Sequence, residues 1–268
     1  MEAIRLDRIG PLWVVGCGNM GGALLDRWLA CGLDPDSVTI IDPAPGAVPT
    51  GVRVVGTPAD ADADEPPNVV LLAVKPQALE AVALQLAHRL RTEPLLISIL
   101  AGIETRTLRQ LSPRVIRAMP NLPVRIGQGT TVLFGAGGAD RAIADALIAA
   151  TGTAHWIDDE ALFDAVTGVS GSGPAYLFRF IEAIEAAGIA AGLPPDIAAA
   201  LARDTITGAA ALAALRDATP AELREQVTSP NGTTAAALAV LDGKGGFTAL
   251  LTEAVAAAAR RSKQLAQG

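Results

Sequence analysis

Residues 12–29 constrain the fold more than any other stretch of the chain. Leu12-Trp13-Val14-Val15 is a short apolar run of strand type, and Gly16-Cys17-Gly18-Asn19-Met20-Gly21 follows it and fits G-x-G-x-x-G. Ala23, Leu24, Leu25, Trp28 and Leu29 then recur with helical spacing. Strand, glycine loop and helix in this order match the dinucleotide-binding turn of a parallel α/β sheet. In that reading Gly16 makes the tight turn, Gly18 lets the backbone approach a pyrophosphate, and Gly21 lets helix and strand pack closely. The helix start supplies unpaired amide N–H groups and the positive end of a dipole for the anion. A plain glycine turn is the alternative on spacing alone, and the position directly after the first strand favours the dinucleotide site.

Strands and helices alternate beyond the loop. Val38–Ile41 reads as a second strand ending at Asp42, where a carboxylate can accept from an adenosine ribose hydroxyl. Pro43 and Pro45 lack the N–H donors that a ribose 2′-phosphate would use, so the segment leans toward NADH over NADPH. Arg53 is the nearby cation that could serve such a phosphate, and a turn-opening Asp-Pro is the bland reading of Asp42. Residues 68–74 form a continuous apolar run, as in a strand buried on both faces, and stop at Lys75-Pro76. Helical spacing follows over 77–90. Strands are expected at 94–100, before Ala101-Gly102, and at 114–118, before Met119-Pro120-Asn121. A last strand at 130–134, a helix at 139–150 and a short strand at 154–157 complete the alternation. Ligands of open α/β sheets bind at the carboxyl ends of strands, which makes Lys75 a cofactor-side candidate, with a merely solvated lysine as the alternative.

From about Glu160 the alternation gives way to Ala-rich helical patterns at 175–191, 194–215, 220–227 and Phe247–Leu265. The expected architecture is an α/β, mostly parallel doubly wound sheet over 1–159, followed by an all-α domain over 160–268. Only 3% of the chain is aromatic against 50% hydrophobic, so Ala, Leu, Val and Ile must build the interior. The helix carrying Ala183, Ile184, Ala186, Ala187, Ile189, Ala190 and Ala191 is apolar nearly all round. Such a helix needs burial on most sides, which points to a homodimer through this half.

A net charge of −7 with no basic stripe argues against a nucleic-acid partner. Cys17 and Cys31 form no CxxC, His88 and His155 suit packing or surface roles, and no metal site is expected. No signal-type core opens the chain, and no apolar run of membrane length is free of Gly, Pro or charge, so the expected location is the cytoplasm.

The segment 227–234, Val-Thr-Ser-Pro-Asn-Gly-Thr-Thr, joins two helices and is dense in hydroxyls. Small polar residues before a helix leave amide N–H groups outward, which suits a carboxylate, while a simple capped turn is the alternative. Gly171-Ser172-Gly173 is ambiguous in the same way, between an anion site and close helix packing.

These segments together resemble the pyrroline-5-carboxylate reductase family. The likeness rests on the glycine loop with Asn19-Met20, Ala73-Val74-Lys75-Pro76, Met119-Pro120-Asn121, residues 165–176 (AVTGVSGSGPAY) and residues 227–242 (VTSPNGTTAAALAVLD). It implies a Rossmann-type NAD(P)-binding domain, a helical dimerisation domain with higher assemblies of dimers, and hydride transfer from NADPH or NADH to the imine carbon of 1-pyrroline-5-carboxylate, giving L-proline. By the same likeness the loop of Thr228, Ser229, Gly232, Thr233 and Thr234 holds the substrate carboxylate, Thr234 bonds the ring nitrogen, and Glu160 and Gln226 line the substrate side. Residues 16–21, Asp42, Ala73, Val74, Lys75, Pro76, Ala101, Met119, Pro120 and Asn121 border the cofactor.

Two positions depart from the family pattern. Leu122 stands where Thr is usual, and Asp42-Pro43-Ala44 replaces a segment suited to a 2′-phosphate. Rival readings are a related two-domain reductase, a dinucleotide-binding regulator without catalysis, and a structural helical assembly. The hydroxyacid dehydrogenases are disfavoured because residues 176–192 contain Arg179 and no Lys.

Overall fold

The computed structural model describes residues 4–61, 66–87, 89–135, 137–215 and 217–265. His88 and the 63–65 part of the expected connection lie outside them. The strands are β1 (Leu12–Val15), β2 (Val38–Ile41), β3 (Arg53–Val55), β4 (Val69–Leu72), β5 (Leu95–Ser98), β6 (Val115–Met119), β7 (Gly129–Gly135) and β8 (Gly152–Trp156). The helices are α1 (Asn19–Ala30), α2 (Leu79–Leu86), α3 (Thr105–Leu108), α4 (Ala139–Ala149), α5 (Phe163–Val166), α6 (Gly173–Ala190), α7 (Pro195–Ala214), α8 (Pro220–Gln226), α9 (Thr233–Leu241) and α10 (Phe247–Leu265).

One sheet runs in the order β3-β2-β1-β4-β5-β6-β7-β8. Its neighbours pair parallel except β6 and β7, which are antiparallel. The chain leaves β1 toward β2 and β3 and then returns to β4 on the other side. The topological switch point therefore lies at the carboxyl ends of β1 and β4, where an open α/β sheet forms its ligand crevice. β1, β4 and β5 are buried along their whole length, as the continuous apolar runs require.

Alternate residues of β1 feed two cores. Leu12 and Val14 join Leu24, Leu25 and Trp28 of α1 with Leu147 and Ile148 of α4, whereas Trp13 and Val15 join Leu79 and Leu86 of α2. Trp28 is fully buried, and its indole N–H donates to the Leu147 carbonyl at 2.8 Å, so the aromatic body packs without stranding its donor.

Three short elements, β3, α3 and α5, have no counterpart in the sequence pattern, α5 being a four-residue helix. The first is a three-residue, largely exposed edge strand, and the second is a single helical turn. None is long enough to show a hydrophobic period.

The chain divides into two compact units. One comprises Met1–Gly171 with Ala258–Gly268, and the other comprises Ser172–Ala257. This break falls after the expected 159/160 division because Glu160 and Phe163 pack into the first unit. Phe163 is 2% exposed, with the Arg117 guanidinium 4.1 Å from its ring centroid.

Within the second unit α6 buries no residue and α7 buries only Ala198 and Ala202. Leu177, Phe178, Ile189, Leu201 and Leu212 are exposed. α7 is also, among the described residues, a helix long and apolar enough to cross a membrane by length and composition, yet it carries Arg203 and Asp204 near its middle.

Candidate active site

The turn from β1 to α1 is a cradle that requires glycine at Gly16 and Gly21. Gly16 has φ +92°, and a Cβ there would lie 2.7 Å from the Val74 amide nitrogen. One on Gly21 would lie 2.4 Å from the Gly16 carbonyl oxygen, so that glycine is what brings helix and strand together. At Gly18 no atom stands within 4 Å of where a Cβ would project. Clefts of about 600 and 420 Å³ open on either side of it. The first intrahelical bond of α1 runs from the Gly22 N–H to the Gly18 carbonyl, which leaves the earlier amides of the helix without intrahelical partners. This is the geometry a pyrophosphate needs.

Asp42 lines the smaller cleft with Gly16, Gly18, Ala73, Val74 and Lys75, so these expected cofactor residues are brought together. Its carboxylate is already structured: Oδ2 accepts from the Cys17 N–H at 2.7 Å and Oδ1 from the Ala44 N–H at 2.9 Å. The first bond spends the Cys17 amide on Asp42, while Cys17 still lines the larger cleft beside Gly18 and Asn19. Burial, and after it the charges of Asp42 and Asp26, push the Cys17 thiol above its ordinary pKa, so it stays neutral. Arg53 lines neither cleft; its guanidinium donates to the Asp60 carbonyl at 3.5 Å.

Met119 ends β6, and Pro120 and Asn121 follow directly on it at the same edge of the sheet. The Asn121 side chain is committed to protein at both ends, with Oδ1 accepting from the Thr130 N–H at 2.8 Å and Nδ2 donating to the Ser170 carbonyl at 3.3 Å. It borders the crevice by position and fixes the start of the glycine–serine segment there. A Cβ on Gly171 would meet Met119 Cε at 2.6 Å, so the Met119 side chain packs against this glycine.

The Glu160 carboxylate accepts from the Thr105 N–H and hydroxyl, both at 2.8 Å, and from Arg117 at 3.1 Å. Arg117 is buried under the Phe163 ring. Glu160 is thereby a clamp that ties α3, β6 and the segment before α5, and it lines a cleft of about 200 Å³ with Gly102, Arg117 and Phe163.

In the second unit the expected anion loop has the geometry of an open helix start. Gly232 is the N-cap of α9 and no side chain caps it. Ser229 and Asn231 make a tight turn into it, with the Gly232 N–H donating to the Ser229 carbonyl at 3.0 Å and Asn231 at φ 58°. A Cβ on Gly232 would strike Ser229 Oγ at 2.3 Å. The first intrahelical bond of α9 runs from the Ala236 N–H to the Gly232 carbonyl, which leaves the earlier amides without intrahelical partners in a segment that also carries Ser229, Thr233 and Thr234. Thr228 turns back, donating its hydroxyl to the Arg224 carbonyl at 2.6 Å, and Gln226 is exposed at the end of α8.

A glycine cradle at the switch point of a parallel sheet, followed by a helical unit with a hydroxyl-rich, uncapped helix start, defines a two-domain oxidoreductase of the nicotinamide dinucleotide class. Comparison with known proteins gives the family. Residues 160–265 match the family model for pyrroline-5-carboxylate reductase dimerisation, and residues 11–102 match that for NADP oxidoreductase, coenzyme F420-dependent. Pyrroline-5-carboxylate reductase of Pseudomonas aeruginosa is 42% identical over 264 residues, spanning 94% of this chain and 96% of that protein. The enzyme of Pisum sativum is 38% identical over 95% of each chain. Among solved structures, pyrroline carboxylate reductase of Plasmodium falciparum with NADP bound superposes with a TM-score of 0.82 at 27% identity, covering 97% of this chain and 99% of that one. The Coxiella burnetii enzyme gives 0.85 at 29%, over 96% and 99%. The chain belongs to the pyrroline-5-carboxylate reductase family.

Proposed function

We propose that this chain reduces 1-pyrroline-5-carboxylate to L-proline, the last step of proline biosynthesis, with hydride from a reduced nicotinamide dinucleotide. One observation carries the reading: an uncapped α9 start flanked by Ser229, Thr233 and Thr234, in a chain whose other unit holds the glycine cradle. The cofactor, when bound, supplies the hydride for the imine carbon. The remaining work is binding and orientation by the protein. The α9 amides and the Ser229 and Thr233 hydroxyls hold the substrate carboxylate. The imine nitrogen is protonated in the reacting form, so no side chain has to deliver a proton to it. Thr234 Oγ1 accepts a hydrogen bond from that N–H and fixes the ring.

Thr234→Ala is expected to lower kcat about tenfold to a hundredfold, the worth of one hydrogen bond to a charged group, with the KM for cofactor changed less than about twofold. Unchanged rates at saturating and limiting imine would remove Thr234 from this role.

The preferred cofactor in this reading is NADH. Pro43 and Pro45 have no N–H, and the Ala44 N–H is donated to Asp42, so the backbone of 43–45 offers a 2′-phosphate nothing. Asp42 itself sets a negative charge at that end. Initial rates with each cofactor test this, and a higher kcat/KM for NADPH would overturn it. The exposed apolar faces of α6 and α7 support a homodimer, with the same chain in the second copy, and sizing with light scattering reads it. The free thiols of Cys17 and Cys31 support a reducing compartment, the cytoplasm.

A further inference from the structure

A cation stands over the glycine loop from a part of the chain that no loop motif includes. Arg125 lies in the tight turn Leu122–Ile126 that follows β6, and its guanidinium donates to the side-chain oxygen of Asn19, the first residue of α1. The turn is held from behind. Val124 is fully buried, its N–H donates to the Asn121 carbonyl at 3.2 Å, and Gly127 closes the turn at φ +71°, where a Cβ would lie 2.8 Å from Arg27 of α1. Arg125 is exposed on this fixed base and lines the cleft of about 600 Å³ together with Cys17, Gly18 and Asn19. Among the described residues lining that cleft it is the one cation. The one anion there is Asp26, about two turns further along α1.

A dinucleotide pyrophosphate brings two negative charges to the start of α1, where the helix dipole offers about half of one positive charge. α1 has no basic residue in its first turn to add to this. A guanidinium presents five N–H donors in a planar fork suited to phosphate oxygens, and the bond to Asn19 uses one of them.

We infer that Arg125 is a ligand of the cofactor's pyrophosphate, parked on Asn19 at the mouth of the glycine loop. This rests on the dinucleotide reading above and adds to it a residue on the cofactor half shared by NADH and NADPH. Arg125→Ala is expected to raise the KM for both cofactors alike, about tenfold to a hundredfold, with kcat at saturating cofactor and the KM for imine held within about twofold. The inhibition constant of ADP-ribose, which carries the pyrophosphate without the nicotinamide, rises in parallel. Arg125→Lys recovers part of the loss, since it restores the charge without the fork. The KM for NADH rises more steeply with salt in the wild type than in Arg125→Ala. Equal cofactor KM values in wild type and Arg125→Ala would overturn the assignment, as would a lowered Tm without a change in KM, which makes Arg125 a tether of its turn. A loss confined to NADPH would move it to the 2′-phosphate and overturn it too. Failure of the wild type to bind any nicotinamide dinucleotide is a separate result, and it would sink the dinucleotide reading itself.

Discussion

The ion pair of Glu160 and Arg117 ties three separated segments of the first unit, so its removal has a calculable cost. The two side chains are 18% and 7% exposed. Glu160→Ala takes the acceptor from the Thr105 N–H and hydroxyl and leaves the Arg117 charge buried, with its Nε already lacking a hydrogen-bond partner. Removing one partner of a buried pair costs about 3–5 kcal/mol. The Phe163 ring below the guanidinium keeps a cation–π contact worth roughly 0.5–2 kcal/mol, which places the expected loss at the lower end, about 3 kcal/mol. For a chain of this size that corresponds to a fall in Tm of roughly 6–12 °C by calorimetry, the first unit melting earlier. The paired change Glu160→Leu with Arg117→Met is expected to recover most of the loss, because no charge is then left buried alone. A single-mutant loss under about 1 kcal/mol, or a double mutant no more stable than Glu160→Ala, would refute the clamp.

Gly232→Ala places a methyl against Ser229 Oγ and is expected to raise the KM for imine at least about fivefold, with the KM for NADH unchanged; an unaltered imine KM would separate this loop from the substrate. The two thiols should react in different regimes. Cys31 is exposed and Cys17 is buried with a raised pKa, so Ellman's reagent at pH 8 modifies Cys31 quickly, while Cys17 lags until the pH rises further or the chain is unfolded. Two equally fast thiols in the native protein would contradict the burial of Cys17.

Leu122 is 36% exposed in the turn that carries Arg125, and the hydroxyl beside Asn121 is that of Ser170, 3.5 Å from its Nδ2.

Where the chemistry is local, the sequence was a sufficient guide. β2 and α10 have the bounds that their apolar patterns predict, because a run of strand or helix period states its own length. The glycine loop was legible for the same reason, since Gly16 takes a backbone conformation and Gly21 a close approach that only glycine meets. β3, α3 and α5 were not, being too short to carry a period.

Partner choice is what the sequence left undetermined. Asp42 looked like a ribose ligand, and only the β1–β2 register shows that it first closes the loop through Cys17, 25 residues earlier. Glu160 carries no local sign of its partners Arg117 and Thr105, which lie 43 and 55 residues back along the chain. Arg125 had no local signal at all and reaches Asn19 across 106 residues. The α/β-then-helical order, the glycine cradle and the hydroxyl-rich helix start could all be read from the chain, because backbone conformation and periodicity are set by near neighbours. The tertiary structure alone decided which carboxylates are free, which amides are spent and which cation overlooks the loop, because a buried polar group takes whatever partner topology delivers to it.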